Sequence, residues 1–248
     1  MKIKCFAKQL GAVSVVLSLT GCAATHTAIN KRNLDVQTKM SETIFLTPTA
    51  PENKTVYVQI KNTSDKQQLE LNSQVTQAIS DKGYKVVQDP SKANYWVQAN
   101  VLQVGRVDLR EANEALQQGY GAALGGATAG GIIGAMAGNN KNSMLAGGLL
   151  GAGASVIGNA LVKDVSYSII TDIQISEKAG EGVVVTESTK AKLKQGTSGS
   201  VSVSSSEKTN WKRYQTRILS TANKVNLKFE EAAPELVAGL SRSISGLM

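Results

Sequence analysis

The sequence has little of the material from which catalytic and metal sites are built. Its 248 residues include one histidine and two cysteines, and aromatic residues make up only 4% of the chain. Zinc sites and Ser–His catalytic pairs need convergent histidine or cysteine side chains, whereas His26 lies in a polar stretch near the N-terminus. We therefore expect no enzyme activity, no metal site and no noncovalent cofactor.

Long runs of one charge are also missing. Lysine and arginine total 27 against 19 acidic residues, which gives a net charge of +8, and Lys212-Arg213 is as long as any basic run in the chain. Nucleic-acid-binding domains concentrate their basic residues on a patch or stripe, so we expect no nucleic-acid partner. A mild positive charge also complements anionic lipid head groups.

The N-terminus has the organisation of an export signal. Lysines at positions 2, 4 and 8 precede an uncharged run over residues 10–19, which is too short for a bilayer span of about 20 residues. Leu19-Thr20-Gly21-Cys22 is similar to the lipobox of bacterial lipoproteins. That similarity implies a signal peptide over residues 1–21 and a Cys22 that carries diacylglycerol and an N-acyl chain. An ordinary secretory leader with a chance cysteine is the alternative.

The segments on either side of the chain's centre predict one folded domain. Residues 22–50 are polar and are interpreted as a lipidated tether. Alternation with a period of two indicates strands, and spacings of three and four indicate helices. On this basis residues 51–108 and 163–248 form a periplasmic α+β domain split in sequence, with an antiparallel sheet and flanking helices. Its predicted strands cover residues 54–61, 84–88, 94–107, 165–175, 183–186, 201–203 and 211–219, and its predicted helices cover residues 65–82 and 229–248.

The insert at residues 109–162 differs in composition from the rest of the chain. Residues 109–118 have a strong helix propensity. They are followed by a stretch from Gly119 to Gly158 that contains 13 of the 23 glycines. The stretch divides into residues 119–138 and 143–162, and each half is as long as a bilayer core is thick, about 30 Å as a helix. This pattern predicts a transmembrane helical hairpin in the outer membrane, with a polar link between its halves.

The glycine spacing within the insert supports close helix packing. Small residues that recur every four positions allow helix backbones to approach each other in lipid, and they predict packing within or between subunits of a homo-oligomer. A flexible linker, a buried water-soluble helix pair and a phosphate-binding loop are alternatives. The glycines predicted to pack are Gly126, Gly130, Gly134, Gly147 and Gly151.

Several motifs together resemble the TraT family of surface exclusion and complement resistance lipoproteins. They are the lipobox at Cys22 with Ala-Ala-Thr-His after it, the strand at residues 56–64, the segment Gly-Tyr-Gly-Ala-Ala-Leu-Gly-Gly-Ala-Thr-Ala-Gly at residues 119–130, the link Asn-Asn-Lys-Asn at residues 139–142, and the tail to Met248. The resemblance implies an oligomeric, surface-exposed outer-membrane lipoprotein that blocks redundant plasmid conjugation by interfering with mating-pair formation, and that lowers killing by serum complement.

The resemblance also implies a segment that contacts a partner. In this family, plasmid specificity is attributed to a short stretch that falls here on Ala137, Gly138, Asn139, Asn140 and Lys141, at the tip of the predicted hairpin. The implied partner is a surface component of the donor or recipient cell. An oligomeric channel or envelope-transport component is the alternative function, because a ring of hairpins could enclose a pore.

Overall fold

The computed structural model describes residues 31–122, 124, 154–157, 160–180, 182–195 and 199–248. Within these ranges the chain is mainly β-structure. The strands are β1 (Asp35–Met40), β2 (Thr55–Asn62), β3 (Lys85–Val86), β4 (Tyr95–Arg106), β5 (Ala154–Ile157), β6 (Ala160–Lys178), β7 (Val185–Gln195), β8 (Gly199–Thr209) and β9 (Trp211–Val225), and the α-helices are α1 (Asn72–Ser80), α2 (Leu109–Gln117) and α3 (Phe229–Gly246).

The main sheet is mixed. Across the described residues its strand order is β1-β9-β6-β4-β2-β3, and β5 pairs with β6 beside this path. β2 runs parallel to both β3 and β4, while the other neighbouring strands are antiparallel. The parallel pairing arises because α1 follows β2 and returns the chain in the same direction. The prediction of an antiparallel sheet is therefore wrong.

Helices α1 and α3 cover one face of this sheet and enclose the main core. Every second residue of a strand points to the same face, so the alternating apolar residues of β4 and β6 meet the apolar stripes of both helices. Burial of one such side chain contributes about 1.5–3 kcal/mol. The fully or almost fully buried residues include Val75, Ile79, Val97, Val101, Ile169, Ile173, Ile175, Ile218, Leu236, Leu240 and Ile244.

The helix predicted over residues 109–118 forms as α2, and it lies on the opposite face of the sheet. Asp108 caps its N-terminus, because the Asp108 carboxylate accepts a hydrogen bond from the Arg110 N–H at 2.8 Å. Leu116 of α2 packs on Ile170 of β6 and Leu219 of β9 in a second, smaller cluster. The helix therefore covers only part of this face.

A two-stranded ribbon follows β6. β7 pairs with β8 from Val185 opposite Thr209 to Gln195 opposite Gly199, and β6 pairs with β9. The sequence predicts instead that residues 165–175 and 183–186 form a hairpin with each other. This pairing is wrong, because alternation identifies a strand without identifying its partner. The serines at 204–206 were predicted to lie in a loop, which is also wrong, because they belong to β8.

The predicted transmembrane helical hairpin is also wrong. Its second helix was expected over residues 143–162, but Ala154–Ile157 forms β5 and Ala160 begins β6, with Ser155 opposite Val162. β-branched valine and isoleucine favour strands, and here strand pairing prevails over helical length. In the part of the chain that the structure describes, no helix combines the length and the apolar character needed to cross a membrane.

Part of the predicted tether at residues 22–50 belongs to the main sheet. Asp35–Met40, inside the predicted tether, forms edge strand β1 and pairs with β9 from Asp35 opposite Asn223 to Met40 opposite Ile218. The predicted signal peptide, Cys22 and residues 125–153 lie outside the described residues.

Candidate functional site

The candidate site is the polar face of the main sheet, the face opposite α1 and α3. Residues paired across neighbouring strands, and alternate residues along a strand, point to the same side. The register therefore brings polar side chains into rows on this side of β2, β4, β6 and β9. We call this side the polar face, and its central rows consist of Gln59, Gln98, Gln174 and Gln215, and of Lys61, Asn100, Asp172 and Arg217.

A buried ion pair lies at the centre of the second row. The Arg217 guanidinium is inaccessible to solvent, and it contacts both carboxylate oxygens of Asp172, with Nε to Oδ1 at 2.6 Å and Nη2 to Oδ2 at 3.0 Å. The planar guanidinium of arginine is suited to this two-point contact with a carboxylate, whereas the ammonium group of lysine is not. The pair is adjacent in the β6–β9 register, so the two strands fix its geometry.

The ion pair holds the chain where the glycine-rich segment begins. Arg217 Nη1 donates to the carbonyl of Ala115 at 2.9 Å, and Nη2 donates to the carbonyl of Ala122 at 2.7 Å. The backbone N–H of Gly121 donates to Asp172 Oδ2 at 2.8 Å. The exit of α2 is therefore attached to the sheet through three hydrogen bonds to this one pair.

Glycine is required at this exit by backbone conformation. Gly119 and Gly121 have φ angles of +75° and +73°, a region that residues with a Cβ rarely adopt. These turns carry the backbone from the end of α2 back over the sheet, where the carbonyl of Ala122 reaches Arg217. The first glycines of the glycine-rich segment thus serve the attachment rather than a membrane helix.

A row of glutamines lies beside the ion pair. Gln98 donates to Gln59 at 2.9 Å, Gln174 donates to Gln98 at 3.2 Å, and Gln215 donates to Gln174 at 2.7 Å, all between amide nitrogen and amide oxygen. We call these four residues the glutamine row. Each amide carries two N–H donors and two acceptor lone pairs, so each keeps hydrogen-bonding capacity after these bonds are made.

Aromatic residues flank the glutamine row. Trp96 lies two residues before Gln98 in β4, on the same face, and its ring centroid is 4.5 Å from that of Trp211 at the start of β9. The Trp96 indole nitrogen donates to the carbonyl of Pro90 at 2.9 Å, which fixes the ring. Tyr57 of β2 is paired with Trp96 in the register.

A cleft of about 260 Å³ opens between the glutamine row and the exit of α2. Tyr120 forms one wall and is 39% exposed. Burial, and to a lesser extent the nearby Asp172 carboxylate, raises the pKa of Tyr120 above its ordinary value. The cleft is lined by Gln59, Lys61, Gln98, Ala99, Asn100, Tyr120, Gly121, Asp172 and Gln174.

The sequence did not point to this site. Cys22, the packing glycines from Gly126 to Gly151 and the partner segment at residues 137–141 all lie outside the described residues. The signal for the polar face was the set of polar residues that alternate with the apolar ones in β4 and β6. Without the strand order, these residues give no indication that they form rows.

These features define a sheet domain that fixes the start of a glycine-rich segment. The family model described as "Enterobacterial TraT complement resistance protein" matches residues 33–248. A TraT complement resistance protein of Escherichia coli is 50% identical over 240 residues, which cover 95% of each chain. That of Escherichia coli strain K12 is 49% identical over 240 residues, again 95% of each chain.

A more distant relative is similar over almost the same length. The TraT complement resistance protein of Wigglesworthia glossinidia brevipalpis is 32% identical over 232 residues, which cover 93% of this chain and 92% of the relative. The family match and these identities extend across both parts of the sheet domain. The chain therefore belongs to the TraT complement resistance family.

Proposed function

We propose that this protein is an outer-membrane lipoprotein that protects its cell from killing by serum complement. The observation that carries the proposal is family membership, since relatives named for complement resistance match 95% of the chain at about half identity. The lipobox at Cys22 supports membrane attachment, because acyl chains on one cysteine supply stable anchoring.

The position of the first described residues supports the attachment. The backbone carbonyl of Lys31 accepts a hydrogen bond from the Val225 N–H at 2.9 Å. The Lys31 ammonium lies 3.6 Å from the Asp164 carboxylate, at the end of the sheet where β6 begins. Lys31 is nine positions after Cys22, a distance that the extended chain spans in at most about 30 Å. We therefore place this end of the sheet near the membrane and the β7–β8 ribbon at the far end.

Survival in serum tests this function. Cells that make the chain are compared with cells that carry an empty vector and with cells that make Cys22→Ala, at equal protein abundance, in active and in heat-inactivated serum. We expect the wild-type chain to raise survival in active serum only, and Cys22→Ala to survive as poorly as the vector control. Equal survival of the wild-type and vector cells would refute the proposal.

We further propose that the protein excludes redundant conjugation by interfering with mating-pair formation. The resemblance to the family supports this role, and we propose that its specificity lies in residues 137–141, which would contact a surface component of the donor or recipient cell. Replacement of residues 139–142 with the corresponding residues of a relative is expected to change which donor plasmid is excluded. Unchanged donor preference at equal abundance would remove residues 137–141 from the proposal.

Surface exposure and assembly are parts of the same proposal. A cysteine introduced as Lys141→Cys is expected to react with a membrane-impermeant label on intact cells, and labelling only after the envelope is broken would contradict exposure. Homo-oligomer formation is expected in native mass spectrometry of the detergent-solubilised, lipidated chain. A strictly monomeric spectrum would contradict it.

A further inference from the structure

The polar face has the chemical character of a saccharide-binding surface. Saccharide hydroxyl groups both donate and accept hydrogen bonds, and a planar side-chain amide offers both functions at once. In the glutamine row, each hydrogen bond between neighbours uses one donor and one acceptor. The donors and acceptors that remain on each side-chain amide recur from strand to strand, at a spacing of about 4.8 Å.

The carboxylate that lines the cleft is already compensated. The Asp172 carboxylate is engaged by Arg217 and by the Gly121 N–H, and Lys61 is an exposed residue at the rim. The floor therefore consists of amides with no unpaired carboxylate. Such a floor complements an uncharged, hydroxyl-rich ligand better than it complements a basic peptide.

Aromatic rings border the amides on two sides. The half-buried Trp96 and Trp211 lie beyond one side of the glutamine row, and Tyr120 forms the wall on the other side. An aromatic ring presents a broad apolar surface together with a polar edge, which suits the C–H face of a sugar ring. Binding pockets combine such surfaces with a few convergent polar groups.

We propose that this cleft and the glutamine row bind an uncharged oligosaccharide of the cell envelope. At about 260 Å³ the cleft is smaller than pockets for drug-sized ligands, which measure about 300–1,000 Å³. One or two rings therefore occupy the cleft, and the following rings lie along the glutamine row toward Gln215. This role is separate from complement resistance and exclusion, and its test does not depend on either activity.

The two tryptophans provide the measurement. The chain contains only Trp96 and Trp211, and both border the proposed site, so intrinsic fluorescence reports its occupancy. The full chain is purified in a detergent without a sugar head group, because a maltoside would compete. It is titrated with maltotetraose, with chitotetraose as a model of peptidoglycan glycan, and with a neutral oligosaccharide from the O-antigen of lipopolysaccharide.

We expect a saturable change in tryptophan emission with at least one of these probes, and the responding probe identifies the source of the glycan. The variant Gln98→Ala/Gln174→Ala is expected to weaken binding at least about tenfold, because two hydrogen-bonding side chains are lost. Tyr120→Ala lies outside the sheet and is expected to weaken binding without changing the unfolding midpoint. The matched control is Gln77→Ala, an exposed glutamine of α1 whose side chain bonds Asp81.

Two results would overturn the inference. The first is the absence of any emission change with all three probes. The second is binding that Gln98→Ala/Gln174→Ala and Tyr120→Ala leave at the strength of Gln77→Ala. If instead these variants impaired conjugation exclusion while no saccharide bound, the polar face would contact a protein partner and the saccharide assignment would be wrong.

Discussion

Gly239 of α3 lies directly against Thr38 of β1. A methyl group added at Gly239 would come within 2.7 Å of the Thr38 hydroxyl oxygen and 3.2 Å of the Ser220 hydroxyl oxygen. These two hydroxyls are themselves 3.2 Å apart, which links β1 to β9 beneath the helix. The absence of a side chain at Gly239 thus allows α3 to pack over the pair and keeps the edge strand on the sheet.

Gly239→Ala is therefore expected to lower the free energy of unfolding by about 1–3 kcal/mol, the usual cost of overpacking. The matched control is Gly246→Ala in the last turn of the same helix, where an added methyl would have no neighbour within 4 Å. The control is expected to stay within about 0.5 kcal/mol of wild type. Denaturant unfolding measures both, and equal midpoints would contradict the close contact at Gly239.

Removal of one member of the buried ion pair is expected to be more costly. Arg217→Met leaves the Asp172 carboxylate buried without its cation, and such changes lower the free energy of unfolding by about 3–5 kcal/mol. Lys224→Ala breaks the more exposed pair with Glu231, whose side chains are 28% and 44% accessible, and is expected to cost at most about 1 kcal/mol. Comparable losses of unfolding free energy in the two variants would show that the buried pair contributes no more to stability than the exposed pair.

Alkaline pH is expected to destabilise the sheet end that contains Tyr84, Tyr95 and Tyr214. Burial raises the pKa of each of these phenols above 10.0, and for Tyr214 the Glu177 carboxylate adds to the effect as a nearby charge and as a hydrogen-bond partner. The folded state then holds these protons more tightly than the unfolded state. Stability is fully present below pH 10 and falls as pH rises through the folded-state values.

The measurement is the free energy of unfolding as a function of pH, with tyrosinate absorbance followed in parallel. Tyr214→Phe removes one of the titrating groups and is expected to make the decline above pH 10 shallower. A decline that begins well below pH 10, or a slope unaffected by Tyr214→Phe, would assign the alkaline transition to other groups.

Much of the secondary structure was predictable because local pattern and packing agree. Residues 54–61 and 94–107 alternate as half-buried strands do, and they correspond to β2 and β4. The stripe of Leu236, Leu240 and Ile244 correctly predicts α3 as a helix packed on the core. In these elements the spacing of apolar residues in the sequence matches the spacing of the side chains that are buried in the core.

The insert could not be predicted in the same way. Length and apolar character over residues 143–162 favoured a helix, but Ser155 and Val162 pair as strand residues. A short apolar run does not distinguish a strand from a buried helix without its neighbours. The polar face was missed for a related reason, because Asp172 and Arg217 are 45 residues apart and become adjacent only when β6 pairs with β9.

The most direct test of the account is plasmid transfer into cells that make the Arg217→Lys variant. Lysine keeps the positive charge beside Asp172 but cannot at the same time reach the carbonyls of Ala115 and Ala122. Transfer into wild-type recipients is expected to be low, and transfer into Arg217→Lys recipients at least about tenfold higher at equal surface abundance, because loss of these two hydrogen bonds loosens the start of the glycine-rich segment. Lys224→Ala recipients are expected to exclude donors as wild type does. Arg217→Lys recipients that are equally abundant and exclude donors as strongly as wild type would contradict the account.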